Sequence, residues 1–329
     1  MRHARSAPAL APLAAQADPT PPASKEKLDA RVEAQSPQAH ASEVAARIAI
    51  VKRALHEVRR AAAELKDLPL RSALEAQLQA PWLPPEAWVF AHPAEAEAKL
   101  RAAGLLIGDK HLLVPPLGAG SLDSAPGGPC VTGHHGYPGG LAVHEAANLA
   151  HARALAAVYK SVYGVELNDE WLVAATLWHD TMKAGTLPWD ASGDCPHGEP
   201  QLAGTALHHT LGLAAAILRH LPGPLIVVIA SAHQPPTAEH AGELCNQLRA
   251  AGILALGDEA ALACPALDAG APRQPLEAFV NNSSDIDYPL TVAAWNWYAA
   301  QTPGGWERFA ALEADGSDLA AWERACPRP

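Results

Sequence analysis

The run WLVAATLWHDTMK, from Trp171 to Lys183, sets a histidine and an aspartate side by side in an apolar stretch of helical spacing. Around this His179–Asp180 pair the chain offers His144 upstream, His208, His209 and His233 downstream, and Asp285 later still. A protein that holds one or two transition-metal ions needs this succession of imidazoles and carboxylates. A bound ion would supply the chemistry of a chain that otherwise reads as an alanine-rich helical protein.

Apolar residues make up 49% of the 329-residue chain, while Phe, Tyr and Trp together reach only 5%, so the apolar fraction leans on alanine. Alanine at that level favours helix over strand. A net charge of -11 gives no electrostatic basis for a broad face that binds nucleic acid. A small anionic substrate remains compatible, because metal ions reverse the local sign of a site in an acidic protein. Cys130, Cys195, Cys245, Cys264 and Cys326 show no short spacing, so they read as ordinary thiols.

Residues 1–24 are rich in Ala and Pro and read either as a disordered arm or as an export signal. Arg2 and Arg5 precede the run APALAPLAA, and Ala15-Gln16-Ala17 offers a cleavage site, but Pro8 and Pro12 interrupt the run. The chain would be exported if the segment is a signal and cytoplasmic if it is an arm. No stretch has the uninterrupted apolar length of a membrane span. The spacing predicts a long amphipathic helix from Ser42 to about Leu68, facing the core or a partner subunit, so a homo-oligomer is compatible. A second helix with flanking turns is expected over 80–112, and a Pro/Gly-rich loop over 114–140. A helix through His144 stops at Gly164, and another, capped by Asn168 or Asp169, carries Trp171 to Lys183. Further helices are expected over about 202–220 and from Leu276 to about Gln301, with Trp295, Trp297 and Tyr298 packing, while PLIVVIASAH after Pro222 and Pro224 reads as a buried strand or a helix, with the surrounding helices favouring helix. The expected architecture is all-α: N-terminal helices and a loop over 25–130, a metal-binding helical domain over 131–302, and short helices over 303–329.

Of the 16 histidines, eleven lie between His134 and His240. Neutral imidazole suits borderline ions, and added carboxylate shifts the preference toward Mn, Fe or Co. Adjacent helical residues project about 100° apart, so His179 and Asp180 do not chelate one ion as a flat pair. Near a helix end, however, Asp180 can bridge two ions while His179 binds terminally. Taken singly, each such histidine is more often a hydrogen-bonded core residue; the ordered set carries the inference. Lys183, one turn on, can steady Asp180 or hold an anionic substrate. His134, His135 and His209 are candidates for substrate contact. Asp190, Asp194, His197 and Glu199 belong to a loop that reads as solvated or as lining the mouth of the site.

The order of a His, a His-Asp pair after an apolar helix and a late Asp resembles the HD-domain superfamily of metal-dependent phosphohydrolases, over about residues 134–298. HHGYPGGLAVHEAANLA is similar to the H-x-Y-x-G-G-L-x-x-H opening of several HD hydrolases, and HDTMK matches their HD-x-x-K form. The resemblance implies an HD-type helical bundle with His144, His179, Asp180 and Asp285 as core ligands. Binuclear members add two histidines, here His208 or His209 and His233. The H-x-x-x-G form around Gly212 favours His208, and the phrase SSDIDY favours Asp285 over Asp287. The cofactor implied is one or two divalent ions of Mn, Fe, Co, Ni or Zn. They would activate a water for attack on a small, nucleotide-like phosphate ester, with Asp180 and Lys183 in the catalytic machinery. Two other readings share the pattern: an HD-type di-iron oxygenase and a non-catalytic metal-binding sensor.

Overall fold

A computed structural model describes residues 36–285, apart from 109–110, 131–133, 192, 263 and 265–274. The N-terminal arm, the stretch with Trp295, Trp297 and Tyr298, the rival ligand Asp287 and the closing short helices lie outside the described residues.

Ser36 accepts from the Ala39 amide and Pro37 occupies the first turn, which starts α1 (Pro37–Ala45). After a short turn follows α2 (Ala49–Ala63), where Val51, Ala54, Val58, Ala61 and Ala62 form one buried stripe. The single long helix expected here is therefore two. Ile48 turns extended between them and buries fully among Val44, Val51, Tyr137, Ala142 and Val143, so tertiary burial overrides local spacing. Asp67 caps α3 (Leu68–Gln79). The helix expected over 80–112 is likewise split, into α4 (Trp88–Ala91) and α5 (Pro93–Ala102). Pro93 lacks the amide hydrogen and cannot sit inside a continuous helix.

The long helix α6 (Gly140–Tyr163) packs against α2 and ends at left-handed Gly164, as its sequence predicts. At its start Gly139 has φ of 81°, and a Cβ there would fall 2.4 Å from Val51 Cγ1, so glycine allows α2 to approach. Asn168 caps α7 (Asp169–Thr176) by accepting from the Trp171 amide at 3.2 Å.

The helix expected to run through Lys183 instead stops at Thr176. The chain then winds through tight turns, with Trp178 N to Ala175 O, Thr181 N to Trp178 O and Lys183 N to Asp180 O, before α8 (Lys183–Thr186). Side chains fix this turn: Trp178 Nε1 donates to Gly212 O at 2.9 Å, and Gln77 Nε2 on α3 donates to Thr181 Oγ1 at 3.0 Å. Gln77 is itself held by Arg219 Nε at 3.1 Å. The N-terminal helices thus reach the His-Asp turn directly.

Next, β1 (Gln201–Leu202) and β2 (Thr205–Ala206) form a two-residue antiparallel ladder with Gln201 opposite Ala206. It leads into α9 (Leu207–Leu218), then α10 (Gly223–Ala230), a 3-10 turn, α11 (Ala241–Leu256) and α12 (Leu276–Ser284). The fold is all-α, and among the described residues the ladder is its only strand structure. The apolar run after Pro224 is helical, as its neighbours suggest. No helix among the described residues is long and apolar enough to cross a membrane.

The reading of the cysteines as ordinary thiols is corrected for the four among the described residues. Cys130 is bonded to Cys195 and Cys245 to Cys264, at sequence separations of 65 and 19. Such pairs are made by the fold, and no short spacing marks them. The first joins the approach to α6 to the segment before β1, in a small cluster with Ala41 and Trp189.

Two outcomes are expected. Gln77→Ala leaves Arg219 without its acceptor and Thr181 without a donor, and should lower stability by about 1–3 kcal/mol in urea unfolding; an unchanged midpoint would refute the pinning role. Non-reducing peptide mapping should recover Cys130–Cys195 and Cys245–Cys264 peptides, and reduction should cost about 2–4 kcal/mol per bond.

Candidate metal centre

Asp180 is fully buried, and both of its oxygens face imidazoles. On one side, His144 Nε2 from α6 lies 3.0 Å and His179 Nε2 lies 3.5 Å from Asp180 Oδ2. On the other, His208 Nε2 from the first turn of α9 lies 2.9 Å and His233 Nε2, just past α10, lies 3.4 Å from Asp180 Oδ1. Asp285 closes the ring from the end of α12: Oδ1 is 3.3 Å from His144 Nε2 and 3.6 Å from His179 Nε2, while Oδ2 is 3.6 Å from His233 Nε2. The six residues read from the sequence as ligands meet in one place. Among the described residues four groups lie within reach of a common ion: His144, His179 and Asp180; Asp180, His208 and His233; His179, His233 and Asp285; and His134, His135 and His144.

The tight turn after α7 puts both members of the His-Asp pair on the same side. A straight helix would have splayed them by about 100°. His179 Nδ1 donates to Thr176 O at 2.7 Å, which aims Nε2 inward. His208 Nδ1 meets Glu199 Oε2 at 2.5 Å, and its backbone amide meets Glu199 Oε1 at 3.3 Å. Metal-binding histidines commonly have such a carboxylate or carbonyl behind the ring.

A test of fit comes from the buried polar atoms. His179 Nε2, Asp180 Oδ1 and His208 Nε2 are buried and make no hydrogen bond, although His208 Nε2 and Asp180 Oδ1 are within contact distance. Buried polar groups are rarely left so. Nitrogen and oxygen atoms gathered around a common space without pairing suit a cation of the borderline class.

The charge pattern is consistent with that. Burial opposes ionisation of Asp180, but Lys183, His179 and His208 overcome it and hold the carboxyl well below its usual range. Burial would lower His179, yet Asp180, Glu145 and Asp285 raise it to about 9. Glu199 and Asp180 likewise raise His208 against burial. Lys183 ion-pairs with Asp180 and donates to Gly127 O at 2.7 Å, which places it where the sequence suggested.

His209 has a different surrounding. It is fully buried, with Nδ1 against Thr205 Oγ1 at 3.3 Å, Nε2 against Ile229 O at 3.4 Å and its ring 4.5 Å from that of His233. Burial and the neighbouring His233 and His208 hold it well below the normal histidine range, so it stays neutral. His209 thus backs His233 and presents no surface among the described residues. His134 and His135 adjoin His144, with ring centroids 4.6 Å and 5.7 Å away. His134 is partly exposed, whereas His135 is buried.

Three residues were missed. Glu199, on a loop whose sequence reads as solvated or as lining the mouth, has its carboxylate buried behind His208. Glu145 and Asn148 on α6 were not singled out. Glu145 is fully buried 3.9 Å from His179 Nδ1, with neither oxygen hydrogen-bonded, and burial pushes it up to about 7. Asn148 lies one turn after His144, a spacing that shares a helix face and could have revealed it. Asp190, Asp194 and His197 stay on the loop, where His197 pairs with Asp194 at 2.9 Å.

No family model and no solved structure matches this chain. The chain is similar to a dihydroneopterin 2',3'-cyclic phosphate phosphodiesterase of Methanocaldococcus jannaschii, at 33% identity over 113 residues. The match covers 34% of this chain and 43% of that protein, so the chain spans less than half the length of this relative.

Because His179 is held protonated at pH 7 in the metal-free protein, a metal ion has to displace its proton. Metal addition at that pH should release at least about one proton per chain, and uptake should weaken as pH falls. Calorimetry in buffers of differing ionisation enthalpy measures this; an exchange with no proton release would contradict the assignment.

Proposed function

We propose that the chain is an HD-type, metal-dependent phosphohydrolase that opens a phosphodiester, with small nucleotide-like cyclic phosphates as its substrate class. The observation that carries this reading is Asp180, a buried carboxylate whose two oxygens each face a separate pair of imidazoles. The activity named for the distant relative, on a cyclic phosphate, favours a diester over a monoester.

His144, His179 and Asp180 would hold a first ion, and Asp180, His208 and His233 a second, with Asp285 facing histidines of both sets. When bound, such ions supply a water activated near neutral pH and positive charge against the phosphate oxygens.

The remaining steps belong to the chain. Asp180 turns one oxygen toward His144 and His179 and the other toward His208 and His233, and would serve both ions. Thr176 and Glu199 keep His179 and His208 turned inward from behind. Lys183 stays cationic, since Asp180 and Asp285 outweigh the effect of burial. Its ammonium has three hydrogens. Contacts to Asp180 and Gly127 O engage two of them, leaving the third for a phosphate oxygen. His134, partly exposed beside His144, meets the phosphate from the open side, with His135 behind it. The leaving oxygen takes its proton from water or from this imidazole pair.

The test is a panel of 2',3'-cyclic nucleotides, bis-p-nitrophenyl phosphate and p-nitrophenyl phosphate, run with Mn, Fe, Co, Ni and Zn. Turnover of the diesters should exceed that of the monoester. Asp180→Ala should lower kcat/KM about a hundredfold or more, a loss of several kcal/mol of transition-state stabilisation. Bound metal with no turnover on any member would overturn the hydrolase reading in favour of a binding protein.

A further inference from the structure

Asn148 is buried on α6, one helical turn beyond His144, and its amide touches two of the six metal-facing residues. Its Nδ2 lies 3.0 Å from His144 Nε2 and 3.1 Å from Asp285 Oδ1, while its Oδ1 is buried without a hydrogen-bond partner. The carboxamide donates one hydrogen to Asp285 Oδ1, while its contact with His144 Nε2 takes its direction from the imidazole tautomer.

The two contacts differ in what a bound cation would do to them. His144 Nε2 has a single lone pair, so coordination would take it away from Asn148. Asp285 Oδ1 has a second lone pair and can keep its hydrogen bond. Asp285 is also the carboxylate whose oxygens face different sets, Oδ1 toward His144 and His179 and Oδ2 toward His233. It caps the end of α12, with its own amide bonded to Asn281 O. The side chain comes to the centre from a helix terminus, and Asn148 on α6 holds it by a hydrogen bond in addition to its contacts with His144 and His179.

We infer that Asn148 is a positioning residue of the metal centre: it clamps Asp285 in the orientation that spans both ion positions, so that Asp285 serves as a second bridge beside Asp180. This rests on the metal-centre reading above. Without the clamp, the Asp285 carboxylate is free to turn toward the first position alone, and the second is left with Asp180, His208 and His233.

The experiment compares wild type, Asn148→Leu and Asn148→Ser loaded with Mn. Leucine has a similar volume and no polar atom, and serine keeps a donor. Wild type should bind two ions per chain by elemental analysis and show the electron paramagnetic resonance spectrum of an exchange-coupled pair. In Asn148→Leu the second ion should bind about 10–100-fold more weakly, and the spectrum should become that of isolated Mn. Asn148→Ser should recover part of both. Should the leucine variant fail to fold, Asn148→Ala is read in the same way. A variant lacking the amide that keeps two ions and the coupled spectrum overturns the clamp. Equal losses in the leucine and serine variants, matched by equal drops in melting temperature of the metal-free protein, also overturn it, by assigning Asn148 to packing. Wild type that takes up no Mn or other divalent ion brings down the metal centre itself, and the clamp with it.

Discussion

A carboxylate sealed from water at the middle of the helices is the constraint to which the rest of the molecule answers. Placing that charge in a low-dielectric interior costs several kcal/mol, recovered only if opposite charge and donors stand in fixed positions around it. Around Asp180 they come from separate parts of the chain: Lys183 from its own turn, His144 from α6, His208 from α9 and His233 from the end of α10. Each helix that delivers one of these groups must pack correctly for the charge to be tolerated. Packing and site chemistry are therefore one problem here, and Gln77, far upstream in the chain, belongs to its solution through Thr181.

The two adjacent histidines at the start of α9 illustrate how environment assigns roles that residue type leaves open. His208 has a carboxylate behind it and another in front, and the pair outweighs burial and raises its basicity. One position on, His209 meets only a hydroxyl, a carbonyl and two other imidazoles, and is held neutral. The H-x-x-x-G spacing around Gly212 favoured His208, but the physical reason lies in Glu199, nine residues earlier and folded back against it.

Much of the fold was readable where local rules decide. A cap at Asn168 or Asp169, Gly164 as a stop and α6 as a helix follow from capping and spacing, whereas α10 is suggested by its helical neighbours. The set of groups around Asp180 was readable as an order of residue types. What escaped was made by contacts across the fold. Ile48 breaks a helical pattern because a core cluster takes it in, and Thr176 ends α7 where spacing alone continues. Cys130 finds Cys195 across the fold, between two loops. Glu145 and Asn148 sit among ordinary helical residues, and only their burial against His179, His144 and Asp285 sets them apart.

Asp285 carries one more implication. It meets Asn148 across 137 positions of sequence, and every other described residue that faces the centre lies N-terminal to it. A ribosome exposes the chain in order, so the ring around Asp180 stays open on one side until translation has passed the end of α12. Closure of the centre then reports that the polypeptide before Asp285 has been made and has found its place.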